Sequence, residues 1–228
     1  MKLLSFECSA KAASCAVTEN GKVLGSVFSN VPLTHSQTLM PMAENLLSSL
    51  RLTLSDIDGF AVAAGPGSFT GIRIGISAVK GLAAANAIPC YPVSTLCAMA
   101  HLFFHENAVI CPVMDARCNQ VYNALFRARG GKIERLCADR ALSVDELIAE
   151  LGGYERKVIL VGDGADLIYS KMPTGNVICA PEHLKNQNAL GVAFAAEHES
   201  AVSPDELSAF YLRLPQAERE LKKRSSEQ

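Results

Sequence analysis

Three loops of the 228-residue sequence carry residue types that could bind phosphate or a metal ion. Glu7 and Ser9 follow a short apolar segment, and Asp115 follows a second one. Gly162 and Gly164 lie between a third apolar segment and a predicted helix. A carboxylate can hold a cation, while small residues let backbone amides approach phosphate. These residues are therefore candidates for a nucleotide-binding site, in the pattern of an ATP-dependent kinase or transferase.

Other residues of the same loops argue against ATP hydrolysis. Arg117, Cys118 and Asn119 stand where glycines would be needed, so their side chains would crowd the phosphates. The turn at 162–164 is equally consistent with an ordinary strand-to-helix connection. We therefore expect weak ATP or ADP binding at most, no cofactor of the chain's own and no catalytic residues. A peptidase with Ser68 as nucleophile is a further alternative, although the sequence near Ser68 offers no cue for a base.

Histidine and cysteine spacing does not predict a metal site. His101 and His105 are four residues apart, which can place two imidazoles on one helix face. However, no glutamate lies between them, and the intervening residues are apolar. The eight cysteines occur singly, without a CxxC pair, so we expect them to be reduced core residues.

The glycine-rich segment 63–77 joins an apolar strand to a helix and is the most unusual part of the chain. It has neither the Gly-Lys-Ser/Thr of a Walker loop nor the GxGxxG pattern of a dinucleotide site. Gly71, Gly75 and Gly81 fall inside the predicted helix, where each glycine costs roughly 1 kcal/mol relative to alanine. Close approach of another backbone would explain them, so we expect a packed partner at this helix.

Two helices of the first half are predicted to form a docking surface. A ridge of small residues beside a polar stripe would let a partner helix approach closely and would set its register. On the preceding helix, apolar residues remain after the core positions are filled, and spare apolar surface is typical of interfaces. The predicted interface residues are Met40, Leu47, Gly71, Arg73, Gly75, Ser77, Ala78, Lys80 and Ala85. The alternative is that both helices lie between two layers of this chain.

The elements that must position these residues follow a repeated order. In the first half, the residue pattern predicts strands at 2–7, 13–18 and 22–29, followed by a helix to 50. It then predicts a strand at 59–64, a helix at 71–87, a strand at 90–93 and a helix at 95–104. The second half predicts strands at 109–115, 120–127 and 132–137, a helix ending before 152, a strand at 157–161, a helix at 165–171, a strand at 176–180 and a helix at 188–199. Each half is therefore a βββαβαβα unit of an α/β fold with mostly parallel sheets.

Two such units resemble the two-lobe fold of the actin, sugar-kinase and Hsp70 (ASKHA) superfamily. We expect a first lobe at 1–105 that carries the docking surface and a smaller second lobe at 106–228. Residues 205–214 are predicted to be a last helix or a return strand, in a final segment able to pack back on the first lobe. The charged residues from 216 onward are predicted to be a frayed helix or a tail.

Composition limits the class of protein further. The chain is 49% hydrophobic and has a formal charge of -2, so it lacks the basic excess of an autonomous nucleic-acid binder. No apolar run approaches the roughly 20 residues needed to span a bilayer. These properties predict a cytoplasmic protein without membrane contact, which would reach RNA only through a partner.

Short motifs spread over nearly the whole chain match one known family. They lie at 35–36, 65–75, 113–117, 121–122 and 211–213. In these motifs the chain resembles the TsaB (YeaZ) family. It departs from that family at residues 7–9, where Glu-Cys-Ser replaces the usual Asp-Thr-Ser, and at Cys118, where a second arginine is common. Both departures weaken the case for ATP hydrolysis.

The resemblance implies a non-catalytic scaffold or activator subunit of the bacterial tRNA threonylcarbamoyladenosine synthesis complex. The chain would pair with the catalytic subunit TsaD, which would transfer the threonylcarbamoyl group to the tRNA adenosine beside the anticodon. The ATPase TsaE and tRNA would dock on the assembled complex, and the partner subunits would use magnesium-ATP. Without TsaD, the same surface would form a homodimer.

Overall fold

A computed structural model of the chain describes residues 1–172 and 175–213. The predicted charged tail from 216 onward lies outside these residues. Within the described ranges, no helix combines the length and the apolar character that crossing a bilayer requires. The described residues form two β-sheets with helices packed against them.

The first sheet follows the predicted order of elements. Its strands are β1 (Lys2–Glu7), β2 (Ala13–Glu19), β3 (Lys22–Ser29), β4 (Gly59–Gly65) and β5 (Cys90–Ser94), arranged as β3-β2-β1-β4-β5. The first three strands are antiparallel, whereas β1, β4 and β5 run parallel. Asn20 and Gly21 form the β2–β3 turn with φ values of 49° and 76°, left-handed conformations that these residue types tolerate.

The helices of the first lobe are α1 (His35–Ser49), α2 (Phe69–Ala84) and α3 (Thr95–His101). The βββαβαβα order predicted for the first half is therefore confirmed. Helices α1 and α2 cover one face of the sheet, where Leu39, Ile72 and Val79 pack with Leu4 and Phe60 in one buried cluster. These residues recur at helical spacing in α1 and α2, which is why each helix buries one side.

The second sheet has strands β6 (Ala108–Asp115), β7 (Gln120–Asn123), β8 (Phe126–Arg129), β9 (Lys132–Arg135), β10 (Arg140–Ser143), β11 (Val158–Val161) and β12 (Val177–Cys179). Its order is β10-β7-β6-β11-β12, with β8 pairing β6 and β9. Helices α4 (Val144–Leu151), α5 (Ala165–Tyr169), α6 (Glu182–Lys185) and α7 (Ala189–Ala196) complete the lobe. The predicted alternation of helices and parallel strands after β10 is present, and the short α6 is an addition to it.

The antiparallel strands of the second lobe differ from the prediction. The strand expected at 120–127 is interrupted at Ala124 and Leu125, although β7 and β8 keep one register against β6. Pro112 lies opposite the break and has no N–H to donate. At the break, the side-chain amide of Asn123 donates to the carbonyls of Pro112 (2.9 Å) and Ala124 (3.1 Å). The strand expected at 132–137 is present as β9, whereas β10, which pairs with β7, is a strand that the sequence does not predict.

Helices α3 and α7 join the two lobes. Met99 of α3 packs into the core of the second sheet, while Val192 of α7 packs on the first sheet, on the face opposite α1 and α2. Where the two helices cross, a Cβ added to Gly191 would lie 2.2 Å from the carbonyl oxygen of Ala98. The close crossing therefore requires glycine at this position.

The chain returns to the first lobe after α7 as an irregular segment, residues 202–213, which we call the strap. Val202 pairs with Cys90 at the edge of the first sheet, and Leu207 is buried in the first core. The N–H of Phe210 donates to the carbonyl of Ala64 at 2.7 Å. Residues 205–213 form neither the helix nor the return strand that the sequence predicts, because their contacts are single anchoring points rather than a ladder.

Candidate functional site

The buried side of α2 contains two of the three glycines that the sequence marks as unusual. A Cβ on Gly71 would lie 2.0 Å from the carbonyl oxygen of Cys8. On Gly75 it would lie 3.1 Å from the Cys8 sulfur and 3.2 Å from Val62. The prediction that Gly71 and Gly75 face a partner is therefore wrong, because both let α2 approach this chain's own β1 and β4.

The start of α2 is fixed by the same close packing. The Ser68 hydroxyl accepts a hydrogen bond from the N–H of Gly71 at 3.3 Å and so caps the helix. The N–H of Ser68 donates to the carbonyl of Ser9 at 2.7 Å, and the Cys8 thiol donates to the carbonyl of Gly71 at 3.2 Å. Ser68 thus has a structural role as the helix cap, and this role explains a serine at this position without a peptidase nucleophile.

The opposite side of α2 is exposed and consists mainly of small residues, with Arg73 at one edge and the partly buried Ile74 among them. We call the exposed small residues of this side the crest; they are Thr70, Ser77, Gly81, Ala84 and Ala85. Gly81 has no described atom within 4 Å of the position that a Cβ would occupy. The alternative that both helices lie between layers of this chain is wrong for α2 in the part of the chain that the structure describes. Nothing in that part accounts for the helical glycine at 81.

An apolar groove of about 290 Å³ separates α1 from α2. Leu4 of β1 and Leu47 of α1 line it although both are buried, while Met40 and Leu54 line it and are about 40% exposed. Leu82 lines it from α2. Large apolar side chains left at such an opening are a feature of protein interaction sites. Met40 and Leu47, which the sequence assigns to an interface, thus lie at one groove.

The other flank of α2 is occupied by the strap. Arg73 Nε donates to the hydroxyl of Tyr211 at 3.1 Å, and the Tyr211 ring stacks on Phe69 with centroids 4.7 Å apart. Lys80 Nζ donates to the carbonyl of Asp205 at 3.2 Å. The polar stripe predicted to set the register of a partner is therefore used within the chain at Arg73 and Lys80. Ser77 remains exposed on the crest.

A cleft of about 610 Å³ opens between the lobes at the amino end of α2. Ser9 and Lys11 line it from the first lobe, and Asp115, Arg117 and Asp163 line it from the second. The structure thus brings Ser9 and Asp115 to one cavity, as the sequence predicts. Asp163 was not selected as a site residue, although its place between Gly162 and Gly164 is a signal that could have identified it.

Glu7 lies beneath the floor of this cleft and is fully buried. Its Oε1 accepts a hydrogen bond from the N–H of Ser9 at 2.6 Å, while its Oε2 has no hydrogen-bond partner among the described residues. Burial raises the pKa of Glu7 to about 7. Desolvation also raises the pKa of Asp163, to which Gln187 donates at 2.9 Å. Burial thus favours the protonated form of both carboxyls.

Gly162 and Gly164 pack inside the second lobe rather than lining the cleft. A Cβ on Gly162 would lie 2.2 Å from the carbonyl oxygen of Val113, and one on Gly164 would lie 2.8 Å from a Val113 methyl group. In residues 1–172 and 175–213, no three His, Cys, Asp or Glu side chains are placed to hold one metal ion. The two glycines serve close packing of the helix turn against β6.

The turn after β6 takes an unusual conformation for its residue types. Arg117, Cys118 and Asn119 all have positive φ, between 53° and 62°. The carboxylate of Asp115 accepts the N–H of Arg117 at 2.7 Å, so it is partly used in holding this turn. Three side chains thus stand where a phosphate loop would have glycine, as the sequence indicates.

Comparison with known proteins identifies the family. The family model for tRNA N6-adenosine threonylcarbamoyltransferase, TsaD, matches residues 24–212. The tRNA threonylcarbamoyladenosine biosynthesis protein TsaB of Bacillus subtilis (strain 168) is 30% identical, over 96% of each chain. This chain belongs to the TsaB (YeaZ) family.

Solved structures agree with this assignment. YeaZ from Pseudomonas aeruginosa superposes with a TM-score of 0.80 at 26% identity, covering 92% of this chain and 99% of that one. The ethanolamine utilization protein EutJ from Carboxydothermus hydrogenoformans matches with a TM-score of 0.51 at 12% identity, over 85% of this chain and 90% of that one. The second likeness concerns the fold alone and confirms the predicted two-lobe architecture.

For this TsaB-family chain, the structure separates the predicted interface residues into four groups. Met40 and Leu47 line the groove, and Ser77 and Ala85 belong to the crest. Ala78 lies half-buried between these two surfaces. The remaining four residues contact other parts of this chain; they are Gly71, Arg73, Gly75 and Lys80. The predicted set lacks Leu54 and Leu82 of the groove and Thr70, Gly81 and Ala84 of the crest.

Proposed function

We propose that this chain acts in tRNA threonylcarbamoyladenosine synthesis as a non-catalytic scaffold subunit that pairs with a TsaD-like catalytic protein. The pairing surface comprises the crest of α2 and the groove between α1 and α2. Membership of the TsaB family and the match of the TsaD family model support the pathway. The observation that carries the pairing surface is Gly81, a helical glycine that no described part of this chain packs against.

The chemistry of the surface fits a helical partner. Small crest residues allow two helix backbones to approach closely, and the adjacent groove offers about 290 Å³ for apolar side chains of the partner. Because the TsaD family model matches most of this chain, the partner is expected to have helices equivalent to α1 and α2. When the partner is absent, two copies of this chain would pair through the same surface and form a homodimer.

The same proposal includes the other components of the complex. A TsaE-like ATPase and tRNA would dock on the assembled pair, in the cytoplasm. Magnesium-ATP would be consumed by the partner subunits. At the cleft of this chain, Ser9 and Asp115 would support weak ATP or ADP binding without hydrolysis, since Arg117, Cys118 and Asn119 stand where a phosphate loop would have glycine. Calorimetric titration with magnesium-ATP tests this part.

Complex formation with a groove variant tests the pairing. Met40→Asp places a charge at the groove rim, whereas Ile178→Asp places one at a similarly exposed apolar residue of the second lobe. We expect the wild-type chain and Ile178→Asp to co-elute with the TsaD-like protein in size exclusion at micromolar concentration. Met40→Asp should elute separately and fail to support tRNA modification. If the TsaD-like protein modifies tRNA equally well with each of the three chains, or modifies it without this chain, the proposal is wrong.

A further inference from the structure

A second cavity lies where α3 and α7 end, on a part of the molecule that the proposed function does not use. It has a volume of about 580 Å³ and is bounded by the carboxyl ends of both helices and by the β8–β9 turn. Small-molecule sites in proteins have comparable volumes and often lie between helices or domains. Because α3 packs on the second sheet and α7 on the first, the cavity lies at the junction of the lobes.

His101 supplies an unpartnered polar atom to this cavity. The side chain is only 8% exposed, and its Nδ1 lies 2.9 Å from the carbonyl oxygen of Cys97. A carbonyl can only accept, so the proton must be on Nδ1. Burial lowers the pKa of His101 and outweighs the hydrogen bond to Cys97, which raises it, while repulsion from His198 and Arg135 lowers it further; the neutral ring therefore predominates at pH 7. Nε2 is then an acceptor, and among the described residues no donor reaches it.

Aromatic rings form the walls around this acceptor. The rings of Phe104 and Phe194 meet edge to face with centroids 6.0 Å apart. The rings of His101 and His198 are 5.6 Å apart and tilted by 33°. Phe104 is 42% exposed, a large fraction for a phenylalanine. A planar ring placed among these side chains would gain stacking contacts of the kind that aromatic pairs make.

We propose that this cavity binds a small planar heteroaromatic molecule whose ring N–H donates to Nε2 of His101. The donor requirement follows from the tautomer that Cys97 imposes, and the planar shape follows from the four surrounding rings. Lys132 and Glu197 line the cavity as well, so polar substituents of either charge would find a partner there. The inference is independent of the proposed scaffold function.

Indole and N-methylindole test the proposal because they differ mainly in the ring N–H. In amide NMR titrations of the full chain, indole should shift signals of residues around the cavity with roughly millimolar affinity, as expected for a ligand of this size. N-methylindole should bind about tenfold more weakly, since it cannot donate to His101. Equal affinities for the two compounds, or no saturable shifts with indole, would overturn the proposal.

Two variants locate the binding. His101→Phe keeps a ring of similar size but removes the acceptor, so it should bind indole and N-methylindole equally. Phe104→Ala removes an exposed ring from the wall of the cavity and should weaken the binding of both compounds. Phe28→Ala, at a similarly exposed position on β3, should leave the binding of both unchanged. If His101→Phe does not fold, the comparison of Phe104→Ala with Phe28→Ala still shows whether indole binds in this cavity. An unchanged affinity in Phe104→Ala would show that indole binds elsewhere.

Discussion

The two sides of helix α2 use glycine for different reasons. On the buried side, Gly71 lets the helix approach the Cys8 carbonyl more closely than any side chain would allow, and Gly75 gives a tight contact with Cys8 and β4. On the crest, Gly81 has open space among the described residues. A glycine in an exposed helix costs roughly 1 kcal/mol relative to alanine. The comparison teaches that the fold itself requires the first two glycines, whereas Gly81 needs a reason outside this chain.

The buried side also ties α2 to the interlobe cleft. Ser68 and Gly71 hold the loop after β1 through hydrogen bonds to Ser9 and Cys8, and Glu7 begins that loop from beneath the cleft. The crest takes no part in these contacts. Substitutions on the buried side should therefore change stability and the cleft together, while a crest substitution such as Gly81→Ala should leave the buried packing and the cleft unchanged.

Gly71→Ala should have the largest effect on stability. The added Cβ would lie 2.0 Å from the Cys8 carbonyl oxygen, and relief requires a backbone to move. We expect a loss of about 3 kcal/mol, at the upper end of the cost of overpacking. Urea unfolding of purified wild-type and variant proteins measures it. A variant as stable as the wild type would show that α2 does not pack as described.

Glu7→Gln should change the pH dependence of stability. Because burial raises the pKa of Glu7 from 4.5 to about 7, its protonated form stabilises the folded state below pH 4.5, and this contribution is lost as pH rises through 7. Between about pH 5 and pH 8, the wild type should lose roughly 2–3 kcal/mol more unfolding free energy than Glu7→Gln. Urea unfolding at the two pH values checks this. Parallel pH profiles would mean that Glu7 ionises as it does in water.

Gly75→Ala should destabilise less than Gly71→Ala. Its Cβ would meet two side chains, the Cys8 sulfur at 3.1 Å and a Val62 methyl group at 3.2 Å, rather than a backbone oxygen. Side chains can shift by a few tenths of an ångström, so we expect a loss of about 1 kcal/mol. A larger loss of unfolding free energy than that of Gly71→Ala in the same urea experiment would contradict the tighter packing described at Gly71.

Gly81→Ala should stabilise the isolated chain, and its effect is the smallest of the series. The methyl group enters open space and alanine is the better helix former, so the expected gain is about 0.5–1 kcal/mol. Thermal or urea unfolding of monomeric protein measures it. A loss of stability would mean that some part of this chain covers the crest.

Most of the fold could be predicted from the sequence because its signals are local. Alternating apolar strands and the Asn20-Gly21 turn act within a few residues, and both are present. The division of the second-lobe strands could not be predicted, since its cause, Pro112, lies on the neighbouring strand. The contact of Arg73 with Tyr211 spans 138 residues and leaves no local pattern.

The interface residues can be predicted from the sequence only in part, and the limit again has a physical reason. Met40 and Leu47 were recognised as apolar residues in excess of the core, and both line the groove. Gly71 and Gly75 were assigned to the wrong side because small size alone does not tell which face of a helix meets the sheet. The available signal is helical spacing, because Gly75 lies three residues after the buried Ile72 and four before the buried Val79, and Gly71 lies four before Gly75.

The affinity of Gly81→Met for a purified TsaD-like protein tests the central claim most directly. The account predicts that this variant folds at least as stably as the wild type but binds the TsaD-like protein about tenfold to a hundredfold more weakly, because the side chain occupies the space of the partner helix. Gly175→Met, at a second-lobe glycine that also has no described neighbour within 4 Å, should bind normally. Undiminished affinity of Gly81→Met would contradict the account.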